Sequence, residues 1–107
     1  MHPIDSHLED AVRCESPDRD TLALSGVLTF ASAAHAYERA GQALERGAQT
    51  RLDLSGLTRA DSAGLACVLA LLAHSSRSGR PLRISNLPDS LRALAEVCDV
   101  RGLLEAA

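Results

Sequence analysis

An aspartate and a serine open the most apolar stretch of this chain. Asp61-Ser62-Ala63-Gly64-Leu65 leads into Ala66-Cys67-Val68-Leu69-Ala70-Leu71-Leu72-Ala73-His74. Asp or Ser ahead of a periodic apolar run marks a helix start, because either side-chain oxygen can accept from the orphan N–H groups of the first turn. The same place offers a hydroxyl at the positive end of a helix dipole. A phosphate there, with about −1.5 to −2 charges, is tolerated. Two roles therefore stand for Ser62: capping alone, or capping together with service as a phosphosite. A third chemistry, Ser62 as the nucleophile of a Ser-His-Asp hydrolase, is disfavoured. The chain has no GxSxG elbow, and Asp61, adjacent in sequence, is badly placed to orient a histidine. No catalytic residue is nominated, and the chain reads as a non-enzyme.

The other reactive side chains are scattered. His2, His7, His35 and His74 show no HxxxH spacing, and Cys14, Cys67 and Cys98 contain no CxxC. Neither a metal site nor a redox dithiol is expected. Three widely spaced cysteines read as buried free thiols in a reducing, cytoplasmic compartment. His74, near the end of its helix, has a favourable place with the dipole. All 11 basic residues are Arg. The lack of Lys excludes a Walker-type phosphate loop and a Schiff-base enzyme, and no cofactor is expected. A net charge of −3, one Phe, one Tyr and no Trp argue against a nucleic-acid surface. Arg77, Arg80 and Arg83 cluster around Gly79, either as a solvated loop or as a contact for an acidic partner or lipid headgroups.

The elements that must position these residues can be read in order. The 107 residues suit one domain. Residues 1–10 read as a flexible polar tail and 11–107 as the domain. No signal pattern and no 18-residue apolar run appear, so direct membrane insertion is not expected. A first strand is predicted over Ala11–Glu15, with a turn at Ser16-Pro17-Asp18. A second covers Thr21–Leu28, with Gly26 as a bulge or close approach. Ser32 should cap a helix over Ala33–Arg46, which Gly47 ends. A third strand covers Arg51–Leu57, a second helix Ser62–Ser78, and a fourth strand Pro81–Leu87. A third helix runs from Pro88 to about Cys98, with a helical turn after it, within Asp99–Ala106. The alternation predicts an α/β fold, a sheet of about four strands covered by three to four helices.

The second helix is apolar on too many sides for a helix on a sheet. At about 100° per residue, Leu65, Val68, Leu69 and Leu72 form one cluster, the expected sheet-facing set. Ala63, Cys67, Ala70 and His74 fall opposite, where an exposed helix would carry charge. Either another element of the domain covers that side, or it docks a partner, since small side chains permit close approach and exposed apolar patches mark interaction sites. Such a face would also let the isolated chain self-associate.

Leu52-Asp53-Leu54-Ser55-Gly56-Leu57 followed by Asp61-Ser62-Ala63-Gly64-Leu65, within this order of elements, resembles the STAS domain family over roughly Thr21 to Leu104. The resemblance implies a sheet with helices mainly on one side and a binding module without catalysis. Two branches are relevant. One comprises anti-sigma factor antagonists, phosphorylated at the position of Ser62. The other is the cytoplasmic STAS subunit of Mla phospholipid-transport ABC complexes. Asp20-Thr21-Leu22-Ala23-Leu24-Ser25-Gly26, Gly26-Val27-Leu28-Thr29-Phe30 and Leu57-Thr58-Arg59-Ala60-Asp61 resemble the transporter branch more closely, although Val27 replaces a usual acidic residue. Ser62 itself is typical of antagonists. The transporter resemblance implies an MlaF-like ATPase subunit as partner, contact with the permease only through it, and a peripheral place at the inner membrane. Carried over by position, the interface comprises Asp61, Ser62, Ala63, Gly64, Cys67, Ala70 and His74, with Arg92 or Glu96 at its margin.

Overall fold

Leu22, Leu24 and Leu28 alternate along one strand and Leu52 and Leu54 along another, where an extra residue between Asp53 and Gly56 brings Leu57 back to the same side, and all are buried. Period-two burial gives each strand one inward face. The computed structural model describes residues 12–105. The predicted tail and Ala106 lie outside the described residues. The elements are β1 (Val12–Asp18), β2 (Thr21–Leu28), α1 (Ala33–Arg46), β3 (Arg51–Ala60), α2 (Ser62–Arg77), β4 (Arg83–Ser85), α3 (Asp89–Val97) and α4 (Arg101–Glu105). The sheet order is β1-β2-β3-β4, with β1 antiparallel to β2 and the other pairs parallel. Four helices and a mixed four-stranded sheet make the α/β fold that the alternation predicts. The helices contact the leucine-bearing side, with α1 over β1 and β2, and α2 and α3 over β3. One core runs from Val12 to Leu104.

The structure corrects several boundaries. No turn forms at Ser16-Pro17-Asp18: β1 continues through it with a register shift between Glu15 and Asp18. As β1 is an edge strand, the missing N–H of Pro17 can be tolerated there. The turn lies instead at Arg19-Asp20, where Asp20 N donates to Asp18 Oδ1 at 2.9 Å. Strand β3 runs three residues further than expected because β2 pairs with it as far as Leu28–Ala60. Strand β4 is shorter: it pairs only with Arg51–Asp53. The chain then turns at Asn86 (φ 59°), whose Nδ2 donates to Asp53 Oδ1 at 3.1 Å. The expected bulge at Gly26 is present, with φ 91° and a register shift to Val27.

Ser32 precedes α1 but does not cap it. Its buried hydroxyl donates to Val27 O at 2.7 Å and accepts from Thr29 N at 3.1 Å. It thus ties the β2–α1 turn together. Gly47 ends α1 with extended backbone rather than a left-handed turn. Its carbonyl and that of Leu44 accept from the Arg80 guanidinium. Arg80 therefore does structural work, capping the carbonyl end of α1. Helix α2 stops as expected at Gly79 (φ 76°), with Gly79 N donating to Ser76 O and Arg80 N to Ser75 O, a Schellman pair.

Gly64 is buried in the first turn of α2, and an added Cβ would run into the carbonyl oxygen of Leu28. Gly41, inside α1, faces open space. The two glycines should respond oppositely to alanine. Gly64→Ala should lose about 1–3 kcal/mol to the forced shift, outweighing the roughly 1 kcal/mol of helix propensity it gains. Gly41→Ala should gain about 0.5–1 kcal/mol. Urea midpoints moving in opposite directions would confirm the close approach; equal gains would refute it.

Candidate partner-binding site

The β2–α1 turn and the start of α2 are joined by Asp61. It is the N-cap of α2, its Oδ1 accepting from Gly64 N at 3.0 Å. Its Oδ2 accepts from Phe30 N at 3.1 Å, and its own N–H donates to Leu28 O at 3.3 Å. These contacts with backbone donors, that of Phe30 foremost, hold the Asp61 carboxyl below its ordinary value of 3.8. The Phe30 ring is left 86% exposed beside the first turn of α2. Because Asp61 does the capping, the hydroxyl of Ser62 is free. Ser62 is exposed and its side chain makes no hydrogen bond among the described residues.

Helix α2 buries a wider arc than the sequence expectation. Its buried residues are Gly64, Leu65, Cys67, Val68, Leu71, Leu72 and Ser75, whereas Leu69 is only half-buried. Leu65, Val68 and Leu72 are buried as expected, and the centre of the buried arc lies roughly 70° from that of the expected set at 100° per residue. The cause is α1, which packs alongside α2 so that sheet and helix together bury a wider arc than a sheet alone. Cys67 is 5% exposed. The open stripe is instead Ser62, Ala66, Leu69 and Ala73, a 4, 3, 4 spacing of one helix face.

The shift leaves a shallow groove of about 290 Å³ between the first halves of α1 and α2. Ala33, Ala34 and Tyr37 form one wall and Ala63, Ala66 and Ala70 the other, with Cys67 between them. The structure thus brings Ala63, Cys67 and Ala70 together beside Ser62. Gly64 lies beneath, packed on Leu28. His74 is apart from the groove, with Nε2 3.7 Å from Glu45 Oε2 of α1, in a separate small pocket with Gln49 and Arg80. Arg92 and Glu96 are held in ion pairs with Asp89 and Arg101. Phe30, Ala66 and the α1 wall escaped the sequence reading. The alanine-rich opening of α1 and the sole Phe at a turn were the signals for them. The described residues contain no group of three or more His, Cys, Asp or Glu able to hold a metal, and no helix long and apolar enough to cross a membrane.

Two outcomes follow from this geometry. A carboxylate held below 3.8 contributes stability that is complete above that value and lost as pH falls through the lower folded-state value. Asp61→Ala should therefore cost about 1–2 kcal/mol at neutral pH, with Asp61→Asn, which keeps an acceptor, losing less. The gap to wild type should narrow in urea titrations run below pH 3.8; a gap independent of pH would show that the charge contributes nothing. The thiols should also separate. Burial pushes Cys67 up to about 11, while Cys98, contrary to the expectation of buried thiols, is exposed because it lies at the end of α3. Alkylation at neutral pH, read by intact mass and peptide mapping, should modify Cys98 rapidly and Cys67 only on unfolding. Early labelling of Cys67 would mean that the α1–α2 seam opens in the native state.

The family model described as "Mlab, STAS domain" matches residues 13–105. Among solved structures, the anti-sigma factor antagonist SpoIIAA in its unphosphorylated form is similar at 18% identity and a TM-score of 0.67, covering 87% of this chain and 84% of that one. The Bacillus cell fate determinant SpoIIAA in the phosphorylated form is similar at 18% identity and a TM-score of 0.63, covering 87% of each chain. No curated protein matches. The structural likenesses show the fold, a STAS fold, and the family match extends over nearly all of it: the chain belongs to the MlaB-type STAS domain family.

Proposed function

We propose that this domain is a non-catalytic accessory subunit that docks on the ATPase of a bacterial phospholipid-transport (Mla) ABC complex, which maintains outer-membrane lipid asymmetry. Members of its family are typically binding domains without catalysis. The observation that carries the reading is the charge-free face around the start of α2. From Ser62 to Ser76 the helix has no Asp, Glu, Arg or Lys, although Ser62, Ala66 and Ala73 are exposed. The groove beside it is walled largely by alanines, and the exposed Phe30 lies on the turn whose backbone is bonded to Asp61. A partner helix can approach such a surface closely, with the exposed ring as an anchor. Docking of this kind would stabilise the ATPase in its working arrangement. Nucleotide hydrolysis and lipid movement would belong to other chains. The subunit would sit in the cytoplasm, held at the inner membrane through the ATPase and, indirectly, the permease.

The exposed, unpaired hydroxyl of Ser62 supports a second reading, an anti-sigma factor antagonist switched by phosphorylation. A phosphoserine there would place about −1.5 to −2 charges at the rim of an apolar groove and oppose docking. SpoIIAA, similar in fold, exists in phosphorylated and unphosphorylated forms.

Affinity purification of the tagged full chain from detergent-solubilised native cells should recover an ABC ATPase with its permease. Ala66→Glu, a charge on an exposed position, should reduce that recovery about tenfold, equivalent to about 1.4 kcal/mol, while the circular dichroism spectrum is retained. Cys67→Arg would be a poor probe, since it places a charge in the core. Undiminished recovery in Ala66→Glu would remove α2 from the interface. Recovery of a serine kinase or anti-sigma factor instead, with a phosphate mass shift lost in Ser62→Ala, would replace the transporter reading with the second one.

A further inference from the structure

Strand β1 forms one margin of the sheet. It has β2 on one side, and among the described residues nothing pairs with the other. Such an edge shows a row of backbone N–H and C=O groups that fit another extended backbone. Residues 12–15 pair with β2 without interruption, so their free edge is regular, and the register shift and Pro17 lie beyond Glu15. Alternation sets the faces. Val12 is buried and Cys14 half-buried on the helix side, whereas Arg13 and Glu15 are exposed on the open side of the sheet. Their neighbours on β2 are Ser25 and Ala23, which carry no charge. Neither Arg13 nor Glu15 has an ion pair or a side-chain hydrogen bond among the described residues. A cation and an anion therefore stand two residues apart on one face of a free edge, without a partner across the ladder.

Two copies of this edge can meet antiparallel about a two-fold axis normal to the sheet. Opposed residues must lie on the same face, so the axis passes through a residue rather than between two. Centred on Arg13, it sets arginine against arginine. Centred on Glu15, it sets glutamate against glutamate. Like charges directly opposite are unfavourable. Centred on Cys14, it sets Arg13 of each copy against Glu15 of the other. Helix α1 overhangs the edge without closing it: a concavity of about 210 Å³ lies between them, and Arg39 at its rim is exposed, its long side chain free to turn to water. We propose that β1 pairs with β1 of a second copy of this chain, antiparallel and centred on Cys14, with two reciprocal Arg13–Glu15 pairs. The contact is isologous. Pro17 and the register shift keep it short, so the dimer is weak, with a Kd on the order of 100 µM. The α1–α2 groove, on the other flank of α1, stays open in each copy, and the pairing does not rest on the docking reading.

The test is sedimentation equilibrium of the full chain under reductant, at concentrations spanning the expected Kd. Arg13→Glu and Glu15→Arg, both at exposed positions, should each weaken the dimer about tenfold or more. The double reversal Arg13→Glu/Glu15→Arg regenerates both pairs and should restore association, and Ala66→Glu should leave it unchanged. A second measurement uses Cys98→Ser oxidised with copper phenanthroline. Opposed residues of an antiparallel pair have Cα atoms about 4.5–5.5 Å apart, within the reach of a disulfide. The two Cys14 thiols should therefore join, each giving up a proton and an electron to the copper(II) complex, and peptide mapping should find that link. A chain that stays monomeric at about ten times the expected Kd, a dimer undiminished by either single reversal, a double reversal no better than the single ones, or a dimer lost in Ala66→Glu would overturn the proposal. So would amides of residues 12–16 protected from hydrogen exchange at every concentration, which would mean that the edge is already paired within one chain.

Discussion

The end of β2 and the first turn of α2 meet at backbone distance, and the arrangement of the site depends on that approach. Only a residue without a side chain can stand where Gly64 packs on the carbonyl of Leu28. The Asp61 carboxylate then serves two backbones at once, the first turn of its own helix and the N–H of Phe30. A buried Ser32 hydroxyl, tied to Val27 and Thr29, holds the turn from the other side. Removing the free backbone donors from competition in this way leaves two groups without structural duties, the Ser62 hydroxyl and the Phe30 ring. Both are exposed at the same end of the molecule.

The rest of the site follows from how α2 is flanked. A helix on a sheet normally buries one stripe and shows a charged opposite face. Here α1 packs beside α2, and the alanines along both helices allow the approach. Cys67 is enclosed in the seam, where burial makes its thiol a weak acid. Small side chains cannot fill the space above the seam, so a shallow apolar groove remains. The same economy of volume that lets the two helices pack leaves room for a third.

Charge is distributed by a similar logic. The surface around the groove carries none along α2, while arginines occupy the outer flank of α1, the edge strand and the loop after α2. Some of these are structural. Arg80 satisfies the last carbonyls of α1, so part of the basic cluster read around Gly79 belongs to helix termination. Arg13 and Arg39 have no ion pair among the described residues.

The α/β architecture, the succession of elements, the bulge at Gly26, the stop at Gly79 and the importance of the Asp61-Ser62 junction are all legible in the residues. Each rests on local physics: the period of burial, the conformational freedom of glycine and the need of a helix start for an acceptor. The strand limits of β1 and β4 were less legible, because a bulge at an edge and a partner's register decided them. The division of labour between Asp61 and Ser62 and the contributions of Phe30, Ala33, Ala34 and Tyr37 depend on contacts across about thirty residues of chain, and the unexpected task of Ser32 depends on the conformation of its own turn. Above all, the sequence could not orient α2. Its leucines, alanines and cysteine are apolar nearly all round, so no single direction of burial is written in their order. Which of those faces meets the sheet, which meets α1 and which meets solvent is decided only when α1 packs beside it.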